Sequence, residues 1–214
     1  MVKSSDRDGL TGPPGVHSVR RAIMRRISLS RLWLTVFTLL PLAVACGGDI
    51  GLPAATIANT VDTLVLSALN GTPIGPPSAI DLVTGTGSRP ELGDDFDFAF
   101  DIDSTGTALL YPASRLGRGG SAALQVSSVP FDSIARAPVE NFVVDTIMPL
   151  TAGKVLMLRS RFSSLLCSVF VGSLPRYAKA EVLELDGVGR TVTLKLMANL
   201  NCGYRDLMPG LPDQ

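Results

Sequence analysis

The chain has 214 residues, of which 46% are hydrophobic and 18% are charged, with 19 basic and 19 acidic side chains. The 169 residues from Cys46 onward are the size of one domain with a single sizeable core. The single histidine is His17, so the rest of the sequence offers no imidazole for a Ser-His-Asp or Cys-His nucleophile system or for a His-ligated zinc ion.

Residues 24–48 have the pattern of a signal peptide. Arg25, Arg26 and Arg31 precede an uncharged apolar run over residues 32–45, and a basic segment followed by an apolar one is typical of a cleaved export signal. The run is shorter than the about 20 residues that a membrane-spanning helix needs. We predict that residues 1–45 are a leader and signal peptide. Met24 is the expected start of translation, and an unusually long basic leader is the alternative.

Residues 42–46 read LAVAC and resemble the lipobox of bacterial lipoproteins, although the usual leucine three positions before the cysteine is Ala43 here. The resemblance implies cleavage between Ala45 and Cys46 and lipidation of Cys46. An ordinary secretory signal cut elsewhere is the alternative. Gly47 stands where an aspartate often retains lipoproteins at the inner membrane, which favours the outer membrane of a cell that has two membranes.

Cleavage at this site changes the charge of the protein. Seven of the 19 basic and two of the 19 acidic residues precede Cys46, so residues 46–214 carry 12 basic and 17 acidic side chains and a net charge of −5. A mildly acidic domain is a poor partner for nucleic acid, whose phosphates recruit clustered Lys and Arg. The expected partners are the membrane, through the lipid anchor, and an envelope protein or a small ligand. No cofactor is predicted.

The first elements after the cleavage site are a tether and two strands. Residues 46–59 are small, contain Gly and Pro and lack periodicity, which predicts a lipidated tether. Aliphatic and β-branched residues at 60–69 predict a strand that ends at the Asn70-Gly71 turn. A shorter apolar strand at 79–83 leads into a predicted loop at 84–95.

Residues 95–103 read DFDFAFDID, an alternation with a period of two. Successive side chains of a strand point to opposite faces, so this pattern predicts a strand with Phe96, Phe98 and Phe100 in the core and the four aspartates in solvent. Residues 104–106 predict a turn, and residues 107–112 predict the return strand of a hairpin.

Two functional readings of the aspartates compete with this structural one. Asp101, Asp103 and Thr105 imitate the start of a calcium-binding loop, but Pro112 occupies the position where such a loop needs a bidentate glutamate. Alternatively, two carboxylates of the row form the acid and base of a carboxylate-based hydrolase. The alternation explains the same residues without a ligand.

The rest of the chain predicts an antiparallel β-domain. Apolar or alternating segments separated by Gly, Pro or Asp occur at residues 121–129, 140–148, 154–162, 165–172, 176–186 and 190–199, with a hairpin turn at 186–189. The apolar parity changes between Val182 and Leu183, so we expect a β-bulge there, with a helix as the alternative. These segments predict an all-β antiparallel sandwich or barrel-like single domain at residues 60–205, followed by an irregular tail at 206–214.

Two further groups of side chains are candidate site residues. Cys167 and Cys202 remain after lipidation of Cys46, and an even pair in an oxidising compartment predicts a disulfide bond. A metal site with two cysteines is the alternative, and it would need further ligands. Five neighbouring residues could form an anion-binding patch or only the solvated faces of edge strands: Arg159, Arg161, Arg176, Tyr177 and Lys179.

Three segments in order resemble the HmuY-type haemophore lipoproteins, namely residues 95–100, 149–161 and 177–185, the last followed by RTVTLKL. The resemblance implies an all-β, surface-anchored domain. That family holds haem iron through histidines, which are absent after His17, so no haem-ligand position carries over. The sequence thus predicts a lipid-anchored extracytoplasmic domain with a non-catalytic binding or envelope-structural role. A haem or small-ligand carrier and a carboxylate hydrolase are the alternatives.

Overall fold

Alternating and aliphatic segments of the sequence form antiparallel strands throughout the described part of the chain. The computed structural model describes residues 51–162, 167–169 and 172–213. The predicted signal peptide, the predicted lipidation site Cys46 and the first part of the predicted tether lie outside these residues. Residues 49–214 form one compact unit.

The first sheet has six strands in the order β1-β13-β12-β9-β6-β7. All its neighbouring strands are antiparallel. In chain order, its strands are β1 (Asp62–Ser67), β6 (Ala123–Ser127), β7 (Val143–Val144), β9 (Val155–Arg159), β12 (Tyr177–Asp186) and β13 (Thr191–Asn199).

The second sheet has five strands in the order β3-β2-β4-β5-β8, again antiparallel. Its strands are β2 (Ala79–Asp81), β3 (Thr86–Ser88), β4 (Phe98–Ile102), β5 (Ala108–Pro112) and β8 (Met148–Pro149). A separate short hairpin joins β10 (Ser168–Val169) to β11 (Gly172–Ser173). In the part of the chain that the structure describes, short 3-10 helices lie at Pro90–Leu92, Ala113–Leu116 and Phe131–Ser133.

The two larger sheets pack face to face and enclose the main hydrophobic core. Phe98, Phe100 and Leu110 of the five-stranded sheet meet Leu158 and Leu194 of the six-stranded sheet in one buried cluster. The expected all-β sandwich is therefore confirmed, and in the described part of the chain neither sheet closes into a barrel. Removing these apolar side chains from water is the main favourable contribution to folding.

Two local predictions in the β12–β13 hairpin are confirmed. The pairing register of β12 against β13 shifts between Val182 and Glu184, so Leu183 is the extra residue of a β-bulge. Leu183 is exposed while Val182 is buried, which explains the change of apolar parity in the sequence. The turn after Asp186 brings β13 back beside β12, as the turn residues predict.

One strand was missed by the sequence pattern. Residues 84–95 predict a loop, yet Thr86–Ser88 form β3 and pair with β2. The middle residue of β3 is Gly87, and a Cβ atom there would lie 2.7 Å from the Cβ atom of Pro77. Glycine in a strand often marks such a close approach of another segment, and this context is not visible in a short polar sequence.

The outer face of the six-stranded sheet is covered by irregular chain. Residues between β6 and β7 and the C-terminal segment pack on it through a second buried cluster that includes Phe131, Ile134, Met157 and Leu207. The N–H group of Leu207 donates to the carbonyl oxygen of Ala135 at 2.8 Å. The predicted irregular tail is thus irregular but held against the sheet.

The last part of the predicted tether also contacts the domain. The hydroxyl of Tyr204 donates to the carbonyl oxygen of Pro53 at 2.8 Å. Asn59 exchanges two backbone hydrogen bonds with Gly210, at 2.7 and 3.1 Å. The domain therefore includes residues from Pro53 onward, and residues 53–59 do not form a free linker.

Candidate functional site

The aspartate row does not form a solvent-exposed face. Phe98 and Phe100 lie in the main core as predicted, while Phe96 packs in a separate small cluster with Ala99. The prediction that all four aspartates face water is wrong, because Asp97 and Asp101 are buried. The reason is that β4 is the central strand of its sheet, and chain segments cover both of its faces.

Asp97 belongs to a buried charge cluster at one end of the sandwich, which we call the Asp81–Asp97–Arg161 cluster. One carboxylate oxygen of Asp97 accepts the backbone N–H of Arg161 at 2.6 Å, and the other accepts the N–H of Leu82 at 2.8 Å. The Arg161 guanidinium lies 2.9 Å from the Asp81 carboxylate and 3.2 Å from that of Asp97. These contacts join the end of β2, the start of β4 and the end of β9.

Burial and charge act in opposite directions on these groups. Desolvation raises the pKa of Asp97 to about 6, although hydrogen bonding and the charge of Arg161 partly counteract it. Burial lowers the pKa of Arg161, but the carboxylates of Asp97, Asp81 and Asp95 raise it by more than burial lowers it. The net shift of this pKa is therefore upward. Arg161 therefore stays charged and neutralises the buried carboxylates.

Asp81 is a site residue that no sequence motif indicates. It is the one charged residue in the apolar segment AIDLV, at residues 79–83. A lone carboxylate in an apolar strand indicates a buried partner, because an unpaired buried charge is costly. The partner is Arg161, which lies 80 positions away in the chain, so no local pattern identifies it.

Asp101 is held by a second set of contacts. Its carboxylate accepts the side-chain amide of Asn70 at 2.5 Å and the backbone N–H of Ile102 at 2.8 Å. The guanidinium of Arg190 lies 3.4 Å away. The Asp101 carboxylate holds the Asn70-Gly71 turn against β4, and Arg190 is its counter-ion.

Asp103 organises the turn between β4 and β5. One carboxylate oxygen accepts the N–H and hydroxyl of Thr105, at 2.8 and 2.6 Å, and the N–H of Thr107 at 2.9 Å. The hydrogen bond from Thr105 is the largest of the causes that lower the pKa of Asp103. The calcium candidates therefore already form hydrogen bonds within the protein; they are Asp101, Asp103 and Thr105.

The five residues of the suggested anion patch lie on neighbouring strands or next to them, but they engage separate partners and three of them are buried. Arg161 enters the charge cluster, and Arg176 donates to the carbonyl oxygen of Val83. The guanidinium of Arg159 lies over the ring of Phe142, 5.3 Å from its centroid. The chain therefore does not gather these cations into one exposed surface, and that hypothesis is wrong.

Lys179 is almost completely buried on the outer face of the six-stranded sheet. Its ammonium group donates to the carbonyl oxygens of Phe131 and Ile134, at 3.0 and 2.8 Å. Desolvation is the main reason why the pKa of Lys179 is lowered. The side chain thus fastens the segment after β6 to β12, and Tyr177 is likewise buried in the second cluster.

A groove of about 330 Å³ lies beside β6. The segment at residues 133–138 forms one wall, and Met157 lies at its base. Its only charged lining residue is Arg136, which forms no ion pair with any described residue. The buried side-chain oxygen of Gln125, which also lines the groove, has no hydrogen-bond partner. The groove thus combines apolar side chains with one cationic side chain, and such a surface can accept a ligand.

Two other features bear on function. Within residues 51–162, 167–169 and 172–213, no three acidic, cysteine or histidine side chains converge as a metal-binding group. Over the same residues, no helix combines the length and apolar character needed to cross a bilayer. The Cys167–Cys202 disulfide is present as predicted, with the two Cα atoms 5.4 Å apart.

Comparison with protein-family models, curated proteins and solved structures finds no match to this chain. The resemblance to HmuY-type lipoproteins stays a prediction, and function is argued from the sequence and the site alone.

We expect Asp101→Asn to lower the free energy of unfolding by about 1–3 kcal/mol, because it removes a charged acceptor from buried donors. Urea titrations with calcium and with a chelator should give the same loss. Asp95→Asn is the matched control, since this aspartate side chain is 83% exposed. A calcium-dependent gain in the wild type that Asp101→Asn abolishes would instead support the calcium hypothesis.

Proposed function

We propose that the protein is a lipid-anchored, extracytoplasmic β-sandwich domain with a non-catalytic binding role. The observation that carries this proposal is the pairing of Cys167 with Cys202. Of the three cysteines in the sequence, this leaves Cys46, which directly follows LAVA. Two of the three cysteines thus form a structural disulfide, and the third, Cys46, is the candidate lipidation site.

The disulfide supports a location outside the cytoplasm. Stable structural disulfides form in oxidising compartments and are rare in the cytosol, where thiols are kept reduced. An export signal before Cys46 and a disulfide after it are consistent with each other, although they come from separate parts of the chain. An outer-membrane location, in a cell with two membranes, rests on Gly47 alone.

The state of the acidic residues supports a non-catalytic role. Asp97 has a pKa raised to about 6, the range in which a carboxyl can act as a general acid or base. Its side chain has no exposed surface, and both oxygens accept hydrogen bonds from the protein. This carboxyl therefore holds the fold together and has no access to a substrate.

The groove beside β6 supports a binding role. It lies on the surface and joins apolar side chains to the guanidinium of Arg136, which forms no ion pair within the described residues. Its lining includes Met157 but neither a tyrosine nor a carboxylate. No observation therefore favours the alternatives of a haem carrier or a carboxylate hydrolase.

Mass spectrometry of the protein purified from membranes, after expression of the whole gene, tests the anchor. We expect a denatured mass that begins at a diacylated or triacylated Cys46 and is two hydrogens short because of the disulfide. Replacing Cys46 by serine should release the protein from the membrane fraction, while Cys202→Ser should leave it there. An unlipidated chain with a different N-terminus would overturn the proposed location.

A native mass measured on the same sample tests the binding role separately. We expect no tightly held small ligand, because the groove is open and moderate in size. A retained metal or haem would overturn the proposal in favour of a carrier and would identify the cargo.

A further inference from the structure

The outer edge of β6 is only partly paired. β9 pairs with all five residues of β6, whereas β7 pairs only with Ala123 and Leu124. Gln125, Val126 and Ser127 therefore have no strand on their outer side. In the described part of the chain, no other backbone hydrogen bond reaches this side of β6. Successive residues of an antiparallel strand direct their N–H and C=O groups to alternate sides, so this edge presents unpaired backbone groups.

This edge lacks two of the features that usually block strand addition. Natural edge strands are protected by charged residues, proline, bulges or a covering segment. Residues 125–127 read QVS and contain neither a charge nor a proline. By contrast, the opposite edge strand, β1, begins with Asp62, and the N–H of Ser67 donates to the carbonyl oxygen of Pro77. The two edges of the same sheet thus differ in their capacity to accept another strand.

The groove lies directly beside this open edge and provides sites for side chains of an added strand. Val126 and Val129 line it and are 48% and 45% exposed, so they can pack against apolar side chains. Among the described residues, Arg136 is the only charged one that lines the groove. The charge of the groove is therefore positive and complements an acidic side chain.

We propose that the open edge of β6 and its groove bind an extended, acidic segment of a partner protein by β-strand addition. The partner's backbone pairs with residues 125–127, one of its acidic side chains pairs with Arg136, and its apolar side chains contact Val126 and Val129. In this mode, backbone hydrogen bonds supply affinity and the side-chain sites supply specificity. The inference rests on the proposed binding role and does not depend on the lipid anchor.

The test uses the full-length protein, purified from whichever cell fraction contains it, and a fluorescent seven-residue synthetic peptide that alternates valine and glutamate. We expect saturable binding by fluorescence anisotropy, with slower hydrogen exchange of the amides at 125–129. A version of the peptide with N-methylated backbone should bind at least about tenfold more weakly, because it loses ladder hydrogen bonds. Equal binding of the methylated peptide would overturn strand addition.

A charge reversal tests the groove. Arg136→Glu should weaken binding of the glutamate peptide by about fivefold and improve binding of a lysine peptide by a similar factor. Arg115→Glu is the matched control, because Arg115 is exposed and lies on the 3-10 helix Ala113–Leu116, outside the groove. Equal effects of the two variants would show that only the net charge matters and would contradict the proposed site.

Two further measurements separate this inference from its alternatives. Val126→Ser should reduce peptide binding because it removes an apolar contact without adding charge, while Val65→Ser on β1, where the valine is 49% exposed, should not. Unfolding midpoints of all variants exclude misfolding as the cause. Sedimentation experiments show whether the protein self-associates. If it does, and hydrogen exchange shows that self-association protects the amides at 125–129, the edge binds a second copy of the chain and the proposal fails. Lipidation of Cys46, measured by mass, is unaffected by any of these outcomes.

Discussion

Replacing Cys167 and Cys202 together by alanine is expected to lower the free energy of unfolding by about 3–4 kcal/mol. The bond closes a loop between cysteines that are 35 positions apart, and a crosslink of this span removes much conformational freedom from the unfolded chain. Cys167 is buried, so alanine avoids placing a hydroxyl in an apolar site. Urea titration followed by circular dichroism measures the loss.

The position of the disulfide explains why this change also affects the rest of the domain. Cys202 follows Asn201, whose side-chain oxygen accepts the N–H groups of Thr56 and Ile57 at 2.9 and 3.1 Å. Tyr204, two residues further on, binds Pro53. The bond thus stabilises the segment that holds residues 53–59 on the domain. Limited proteolysis near these residues should become faster in the double variant.

Chemical reduction provides an independent control for this prediction. Reduced wild type, Cys167→Ala and the double variant all lack the same crosslink, so their unfolding free energies should agree. A loss smaller than about 1 kcal/mol in all three would show that the bond adds little. It would also mean that the β-sheets alone hold the C-terminal segment in place.

The strands could be predicted from the sequence because their signals are local. The alternation at 95–103, the turn at 104–106 and the parity change at Val182 each lie within ten residues of the structure that they determine. Side-chain alternation along a strand is a property of the backbone itself. It needs no information about the rest of the fold, so the β4–β5 and β12–β13 hairpins were predicted correctly.

The burial of Asp97 could not be predicted in the same way. Alternation separates the two faces of a strand but does not say whether the second face is covered. Here the cover includes Arg161, which lies 64 positions from Asp97 in the chain. Asn59 and Gly210, which form an isolated β-bridge, are likewise far apart in the sequence. Contacts of this kind depend on the complete fold, and a single sequence offers only indirect signs of them.

The groove beside β6 was missed for a related reason. Its lining comes from β6, β9 and the segment at 133–138, and none of these has an unusual composition. The informative property is the incomplete pairing of β6 by the two-residue strand β7. The sequence predicted one continuous strand at 140–148, whereas the structure has two short ones, at Val143–Val144 and Met148–Pro149. This shortening creates the open edge.

The second large effect concerns the pH dependence of stability. The pKa of Asp97 is about 6 in the folded protein, compared with an ordinary value of 3.8. Between these pH values the folded state keeps a proton that the unfolded chain has released, so the free energy of unfolding falls as pH rises from about 4 to about 6. The shift corresponds to about 3 kcal/mol for this group. Asp97→Asn removes the titration and should remove this part of the pH dependence.

The measurable quantity is the difference in unfolding free energy between Asp97→Asn and the wild type, followed from pH 4 to pH 7. It should increase by about 2 kcal/mol in favour of the variant, because the variant has no buried carboxyl to ionise and the unfolded wild type is already partly ionised at pH 4. Asp95→Asn is the control, because it removes an exposed carboxylate 3.9 Å from the Arg161 guanidinium. The difference in unfolding free energy between Asp95→Asn and the wild type should depend much less on pH. The two causes acting on Asp97 oppose each other, and this experiment decides between them. A difference that moves in favour of the wild type with rising pH would mean that the attraction of Arg161 outweighs the cost of burial.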